Sequence, residues 1–281
     1  MPLNMKSKII LSIILTAFLL ACKKEHKANA DLLSGKIKTS RLVLDTTRYS
    51  LNYHFSYDPS GKLSSIKIFQ DADSNAFILY HVEYQNDKVV ASDSNSNSLT
   101  LYLQPGTNLI DSFIYIDHGV DIGGSKVSRT HSNDIIKIDP AREIGPLSTY
   151  FYQDSFVYTG GQISSYKQKA VGMPYSYTSR YEISYDLSRS KRTDNDFNLA
   201  GNLLNNPFFL LPVNDLSILG LSLGNAYHNA IASIAIYDEP ETSYRFITNY
   251  HYISNSVNNL TIDLSSAPES GTYKRLENTY Y

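Results

Sequence analysis

Tyr49-Ser50-Leu51-Asn52-Tyr53-His54-Phe55-Ser56-Tyr57 alternates large apolar residues with polar ones, and Asp58-Pro59-Ser60-Gly61 follows at once. Period two is the mark of a strand, because successive side chains on an extended chain point to opposite faces. Pro59 presets φ at the second turn position, Gly61 accepts a left-handed backbone at the fourth, and Leu63–Phe69 returns. The stretch is a β-hairpin. A type I turn with a bulge at Gly61 would set Tyr57 against Leu63 and Phe55 against Ser65. The opposite face would then carry His54 and Ser56 against Ser64 and Ile66. Both faces come out mixed, which suits a broad, twisted antiparallel sheet better than a two-layer sandwich.

The same pattern recurs. Phe156-Val157-Tyr158, the turn Thr159-Gly160-Gly161-Gln162 and Ile163-Ser164-Ser165-Tyr166 repeat Phe55-Ser56-Tyr57 and Leu63-Ser64-Ser65-Ile66 around their own turn. Further on stand Val82-Glu83-Tyr84 and Ile183-Ser184-Tyr185, so that Tyr57 and Tyr158, and Tyr84 and Tyr185, share an offset of 101 residues. The offset marks either an old internal duplication or a meander whose unit recurs. By the same pairing, Tyr158 should stand beside Ile163. Further strands are expected at 99–103, 109–116, 135–138, 231–237, 244–253 and 259–264, with a Tyr-rich final strand in 272–281. Pro105-Gly106-Thr107-Asn108 and Gly123-Gly124 read as turns. One region departs from period two: Leu199, Leu203, Leu204, Phe208 and Leu211 fall at helical spacing, with Asp194 or Asp196 as cap and Pro207 and Pro212 as limits. The expectation is a single mainly β domain over 36–281, with one or two short covering helices near 197–222.

Composition agrees with that class. The chain has 281 residues, 42% hydrophobic and 19% charged, enough apolar matter for a core and too much for wholesale disorder. A formal charge of −2 supplies no basic surplus for nucleic acid. The 23 Tyr, 11 Phe and absent Trp favour strands.

At the N-terminus, Lys6 and Lys8 precede the apolar run Ile9–Leu20, which ends at Ala21-Cys22. A basic start, a short apolar run and a small residue make an export signal. The run is too short to span a hydrocarbon core, which takes about 20 residues. Cys22 is the only cysteine, so no internal disulfide forms. Leu19-Leu20-Ala21-Cys22 resembles the lipobox of bacterial lipoproteins. The resemblance implies a signal peptide over 1–21, cleavage between Ala21 and Cys22, and attachment to the membrane through acyl chains on Cys22. Lys23, directly after the cysteine, implies the outer membrane by the enteric sorting pattern. Residues 22–35 would be a lipidated tether, whose polar part Lys23–Asp31 reaches up to about 30 Å when extended. Loss of Lys6 and Lys8 takes the net charge from −2 to −4.

Phe55-Ser56-Tyr57-Asp58-Pro59-Ser60-Gly61-Lys62-Leu63 and Tyr185-Asp186 resemble the Tyr-Asp core of YD/Rhs-type repeats. Lys62 stands where Arg is usual, Thr159 replaces Asp in the second hairpin, and no long tandem array follows. The order of lipobox, hairpins, Asn- and Leu-rich insert and Tyr-rich end resembles the outer-membrane lipoproteins of Bacteroidota. That resemblance implies a cell-envelope location and brings no general activity with it.

Motifs for chemistry are sparse. Tyr53-His54, Tyr80-His81, Tyr227-His228 and Tyr250-His251 suggest a metal site at first. In a meander, however, His54 and His81 lie two strands apart, about 9.5 Å, whereas shared ligands lie about 2 Å from their ion. Asp71–Asn75 and Asp194–Asn198 open like calcium loops but hold Ala76 and Leu199 at the glycine position and Val82 and Asn205 at the twelfth. There is no Gly-x-Ser-x-Gly, phosphate loop or dinucleotide fingerprint, so no catalytic residue, metal or cofactor is assigned. Tyr175, Tyr177, Tyr181, Ile183 and Tyr185 share one strand face. They serve cross-strand packing or, if exposed, a platform for glycan or peptide. The expected function is a lipid-anchored, non-catalytic binding or structural module with an envelope protein or glycan as partner. The alternative is an envelope glycan hydrolase, which would show a deep pocket with two close, buried carboxylates.

Overall fold

Sixteen antiparallel strands close on themselves, each bonded to its neighbours in sequence and the last bonded to the first. The computed structural model describes residues 36–43, 50–70, 78–140, 150–171, 177–190, 219, 221–222, 224, 229–239, 244–255, 259–267 and 274–281. The first eight strands are β1 (Ile37–Val43), β2 (Ser50–Tyr57), β3 (Leu63–Gln70), β4 (Ile78–Tyr84), β5 (Lys88–Ser92), β6 (Ser98–Leu103), β7 (Ile110–Asp117) and β8 (Val120–Arg129). The second eight are β9 (Ile135–Pro140), β10 (Tyr150–Thr159), β11 (Gln162–Val171), β12 (Tyr177–Ser190), β13 (Asn229–Asp238), β14 (Tyr244–Asn255), β15 (Asn259–Ala267) and β16 (Lys274–Tyr280). Ser40↔Asn278 and Leu42↔Leu276 are among the pairs that close the ring. The open twisted sheet expected from the sequence is therefore corrected to a closed barrel, which leaves no free sheet edge. No α-helix occurs among the described residues, and the expected helical stretch 197–218 lies outside them.

The mixed faces expected from the register are corrected as well, and the reason is a bulge. Tyr57 pairs with Leu63 as expected, but Ser56 pairs with Ser65 and Phe55 with Ile66, so Ser64 is the extra residue. Its hydroxyl donates to the Ser56 carbonyl at 3.0 Å. The second hairpin is built alike. Tyr158 pairs with Ile163, Val157 with Ser165, and the Ser164 hydroxyl donates to the Val157 carbonyl at 3.2 Å. A bulge of one residue flips the parity of the strand beyond it. Leu63 and Ile66, three residues apart, consequently both face inward and are buried, as are Ile163 and Tyr166. The bulges thus gather the large apolar residues of both hairpins on one face, and leave Val157 exposed on the other.

That apolar face is the inside. Tyr53, Ile68, Tyr80, Leu99, Phe113, Ile138, Tyr166, Ile231 and Leu260 come from strands all round the wall and are at most 1% exposed. The inward residues form one contiguous cluster. A circular barrel of sixteen strands has room for an aqueous channel. Side chains this inaccessible show that the lumen at their level is filled instead. The outside carries charge on most strands. Arg275 holds Asp263 through two hydrogen bonds of 2.7 and 3.1 Å, Lys169 meets Asp154 at 2.7 Å, and Arg41 meets Glu277 at 3.4 Å. His54, Lys67 and His81 are exposed between buried neighbours, and Glu83 is exposed beside buried Val82.

Glycines mark two further points. Gly160 and Gly161, both at positive φ, make the two-residue turn the sequence predicts. Gly123-Gly124 is no turn: both lie within β8, and a Cβ on Gly124 would stand 2.1 Å from the Phe113 carbonyl. Glycine serves close backbone approach there. The turn falls earlier, at His118-Gly119, again both at positive φ.

The 101-residue offset also has its explanation. Tyr57 and Tyr158 end β2 and β10, and Tyr84 and Tyr185 lie on β4 and β12, so each pair is eight strands apart, half the ring. Three of the four share a hydrogen-bonding role. The Tyr57 hydroxyl donates to the Ile37 carbonyl at 2.8 Å, and that of Tyr185 to the Ile163 carbonyl at 2.6 Å. The Tyr158 hydroxyl accepts from the Ile135 amide at 2.7 Å, whereas that of Tyr84 lies beside the backbone of Leu63 and is buried with no hydrogen-bond partner among the described residues. Tyr252 on β14 repeats the contact, donating to the Ile231 carbonyl at 2.9 Å, and Arg129 on β8 substitutes a guanidinium donating to the Ile110 carbonyl. The recurring unit is thus a hairpin whose second strand carries apolar-x-Tyr at the level where its first strand begins, with the hydroxyl bonded to that strand in four of the five cases. Burial pushes the Tyr84 and Tyr158 hydroxyls up to about 12, so both stay neutral.

Candidate functional site

The pinned end of the barrel is also where the chain enters and leaves: the Tyr281 amide donates to the Lys36 carbonyl at 3.0 Å. We call this the proximal end. A cleft of about 470 Å³ opens there, within the size range of small-molecule sites. Three neighbouring turns, β2–β3, β4–β5 and β6–β7, form its wall through Gly61, Lys62, Gln85, Asn86, Gly106 and Asn108. Val89 and Leu103 line it from the barrel interior, and Leu219 and Leu221 close the far side.

Each part is fixed by local chemistry. An Asp58 carboxylate oxygen accepts from the amides of Ser60 at 2.8 Å and Lys62 at 2.9 Å and from the Ser60 hydroxyl at 2.7 Å. The Ser60 hydroxyl, then the Lys62 amide, hold that carboxyl below its ordinary range. Gly61 supplies the left-handed residue, φ 78°, that lets the turn close. At the β6–β7 turn, the Gln104 amide donates to the Leu109 carbonyl at 2.8 Å and the Thr107 hydroxyl accepts the Leu109 amide at 3.1 Å. The far side is held by Ser222. Its carbonyl accepts the Ile110 amide at 2.9 Å, and its amide donates to the Asn108 carbonyl at 3.0 Å. Gly224 follows at φ +128°, where a Cβ would meet the Asn133 carbonyl at 2.4 Å. Glycine is what lets this segment lie so close to the β8–β9 turn.

Lys36 and Lys62 give the cleft its charge. The Lys36 ammonium donates to the Gly61 carbonyl and lies 5.3 Å from the Tyr57 ring centre, and that of Lys62 lies 5.0 Å from the Tyr84 ring centre. Such contacts hold a cation over an aromatic face. Among the described residues, no Asp or Glu lines the cleft.

The sequence-derived candidates fall elsewhere. Ala21 and Cys22 lie outside the described residues, as do Tyr175, His228, Asp71–Asn75 and Asp194–Asn198. His54 and His81 project outward opposite Lys67 and Ser65, on strands separated by β3. The Tyr ladder of β12 faces inward. Tyr181 and Ile183 are buried, and Tyr181 stacks on Tyr166 with ring centres 4.6 Å apart and planes 7° from parallel. Those residues pack in the core, whereas Tyr177, at the start of the strand, is 43% exposed. Sequence reading missed the cleft because Lys36, Lys62, Asn108 and Leu221 meet only when the ring closes. The Asp-Pro-Ser-Gly-Lys turn was its one visible part.

Solved structures of similar fold include a porin-like protein from Bacteroides uniformis ATCC 8492. It is 12% identical with a TM-score of 0.56, over 88% of this chain and 98% of that one. A porin-like protein from Bacteroides vulgatus ATCC 8482 is 11% identical with a TM-score of 0.62, over 88% and 99%. At this identity the likeness concerns the barrel alone. No family model matches the chain, so the Tyr-Asp repeat resemblance has no support beyond the residues that suggested it. No curated protein matches it.

Proposed function

We propose that this chain is a lipid-anchored envelope protein, a barrel that stands in water on a tether from Cys22 and works as a non-catalytic binding module through its proximal cleft. The observation that carries the reading is the polarity of the wall: the buried side is mostly apolar, and the outside carries ion pairs and histidines, with exposed apolar residues such as Ile136, Val157 and Ile253 standing singly among them. A barrel that crosses a membrane needs an apolar outer band, and a Lys or Arg at the bilayer midplane costs it about 2–4 kcal/mol. A wall with Lys67, Lys169, Arg180 and Arg275 outside suits aqueous surroundings. The anchor rests on the lipobox resemblance, since acyl chains on a cysteine ahead of the barrel would hold it at a membrane without inserting it. The binding role follows from a cleft with cations, amides and an apolar floor and no carboxylate pair in its described lining.

The anchor is tested by Cys22→Ala. Fractionation of cells is expected to move the protein out of the membrane fraction or to leave it unprocessed. A mature Cys22→Ala protein that still sediments with membranes contradicts the reading.

A further inference from the structure

We propose that the proximal cleft takes an anionic amphiphile, a molecule with a carboxylate or phosphate head on a short apolar body. The inference rests on the binding-module reading and names its ligand class. Two cations, Lys36 and Lys62, flank Gly61 on one wall, and Asn86 and Asn108 are among the other lining residues. Each ammonium has three donors, of which the Gly61 carbonyl takes one from Lys36. The carboxylate on that turn, Asp58, accepts three hydrogen bonds from its own loop through one oxygen and offsets part of the Lys62 charge. The apolar part of the lining is Val89, Leu103, Leu219 and Leu221, the two last at most 6% exposed. Cations at the rim and an apolar floor match a charged head with a hydrocarbon body. A neutral glycan has no use for the first, and a simple anion none for the second.

Position supports the same class. Lys36, a lining residue, is where the segment 22–35 joins the barrel. Fourteen residues span at most about 50 Å, so an anchored chain keeps this end of the barrel within reach of lipid head groups. The ligand's source is therefore an anionic lipid of the bilayer or a free amphiphile, with the same chemistry in both.

The test uses the full mature chain with Cys22→Ser, which carries no acyl group of its own. Calorimetric titration with decanoate, decyl phosphate, decanol and decyltrimethylammonium reads the class. Vesicles of phosphatidylcholine with and without phosphatidylglycerol read the source by co-sedimentation. Decanoate and decyl phosphate are expected to bind at one site, with about tenfold or greater loss in the Lys36→Gln/Lys62→Gln double variant, the size expected for lost charge-assisted hydrogen bonds. Lys36→Arg/Lys62→Arg should restore binding, which separates loss of charge from loss of fold. Lysine-dependent sedimentation with the anionic vesicles identifies a bilayer lipid, and single-chain binding alone identifies a free amphiphile. The proposal is overturned if decanol binds as tightly as decanoate, if the Gln variant keeps its affinity, or if no anionic probe saturates. Saturable binding of decanol alone would overturn the ligand class and leave the binding module standing.

Discussion

Ile68→Asp is expected to abolish folding, and Lys67→Leu, one residue away, to change stability by no more than about 0.5 kcal/mol. Ile68 is 0% exposed, paired with Tyr53 on β2 and Ile78 on β4. Truncating a side chain in such a place costs about 2–5 kcal/mol. Burying a carboxylate there, without a partner, adds several more or forces it to take up a proton. Together these approach the whole stability of a typical domain, about 5–15 kcal/mol. Lys67 points to solvent between His54 and Leu79, so a leucine there loses little. In a barrel that faces lipid the two results would change places. Denaturant unfolding of both variants, with the amount of soluble protein, reads the contrast.

The second large effect is at Tyr166. It is 0% exposed and lies between Phe156, ring centres 5.4 Å apart, and Tyr181 at 4.6 Å. Tyr166→Ala removes one ring of a three-ring stack and leaves a cavity, with an expected loss of about 3–5 kcal/mol. Tyr166→Phe is expected to be neutral or stabilising. The Tyr166 hydroxyl is buried without a hydrogen-bond partner among the described residues, and burial pushes it well above its ordinary range, Tyr181 and Tyr250 adding to the effect. An unsatisfied buried hydroxyl carries a desolvation cost of about 1–3 kcal/mol that phenylalanine avoids. A Phe variant as unstable as the Ala variant would mean that the hydroxyl has a partner that matters.

These two positions show what a sequence can and cannot yield here. The alternation in 49–57 gave the strand, and the pairings Tyr57↔Leu63 and Tyr158↔Ile163 were readable from turn chemistry. The bulge at Ser64 was not, because a serine in a strand looks the same whether it sits in register or outside it. That single residue decided whether Ile66 faced in or out, and so whether the sheet had one apolar face. Closure was beyond reach for another reason. β1 and β16 meet through residues some 240 positions apart, such as Thr39 and Thr279, whose hydroxyls lie 2.6 Å apart. No local periodicity carries that information. The apolar-x-Tyr endings were visible as a repeat, and their role as pins between paired strands became clear only from the hydroxyl contacts. The cleft shares the fate of closure, since its lining comes from Lys36, three turns and Leu219 and Leu221.

The central claim is that this barrel has its apolar side within and its charged side towards water. The most direct measurement is made on the full mature chain with Cys22→Ser, purified without detergent, followed by sedimentation and by current recording across a planar bilayer. The account predicts a monodisperse soluble protein that adds no unitary conductance steps at any concentration at which it stays folded. A protein that needs detergent to stay in solution, and that opens stepwise conductances in the bilayer, would contradict it.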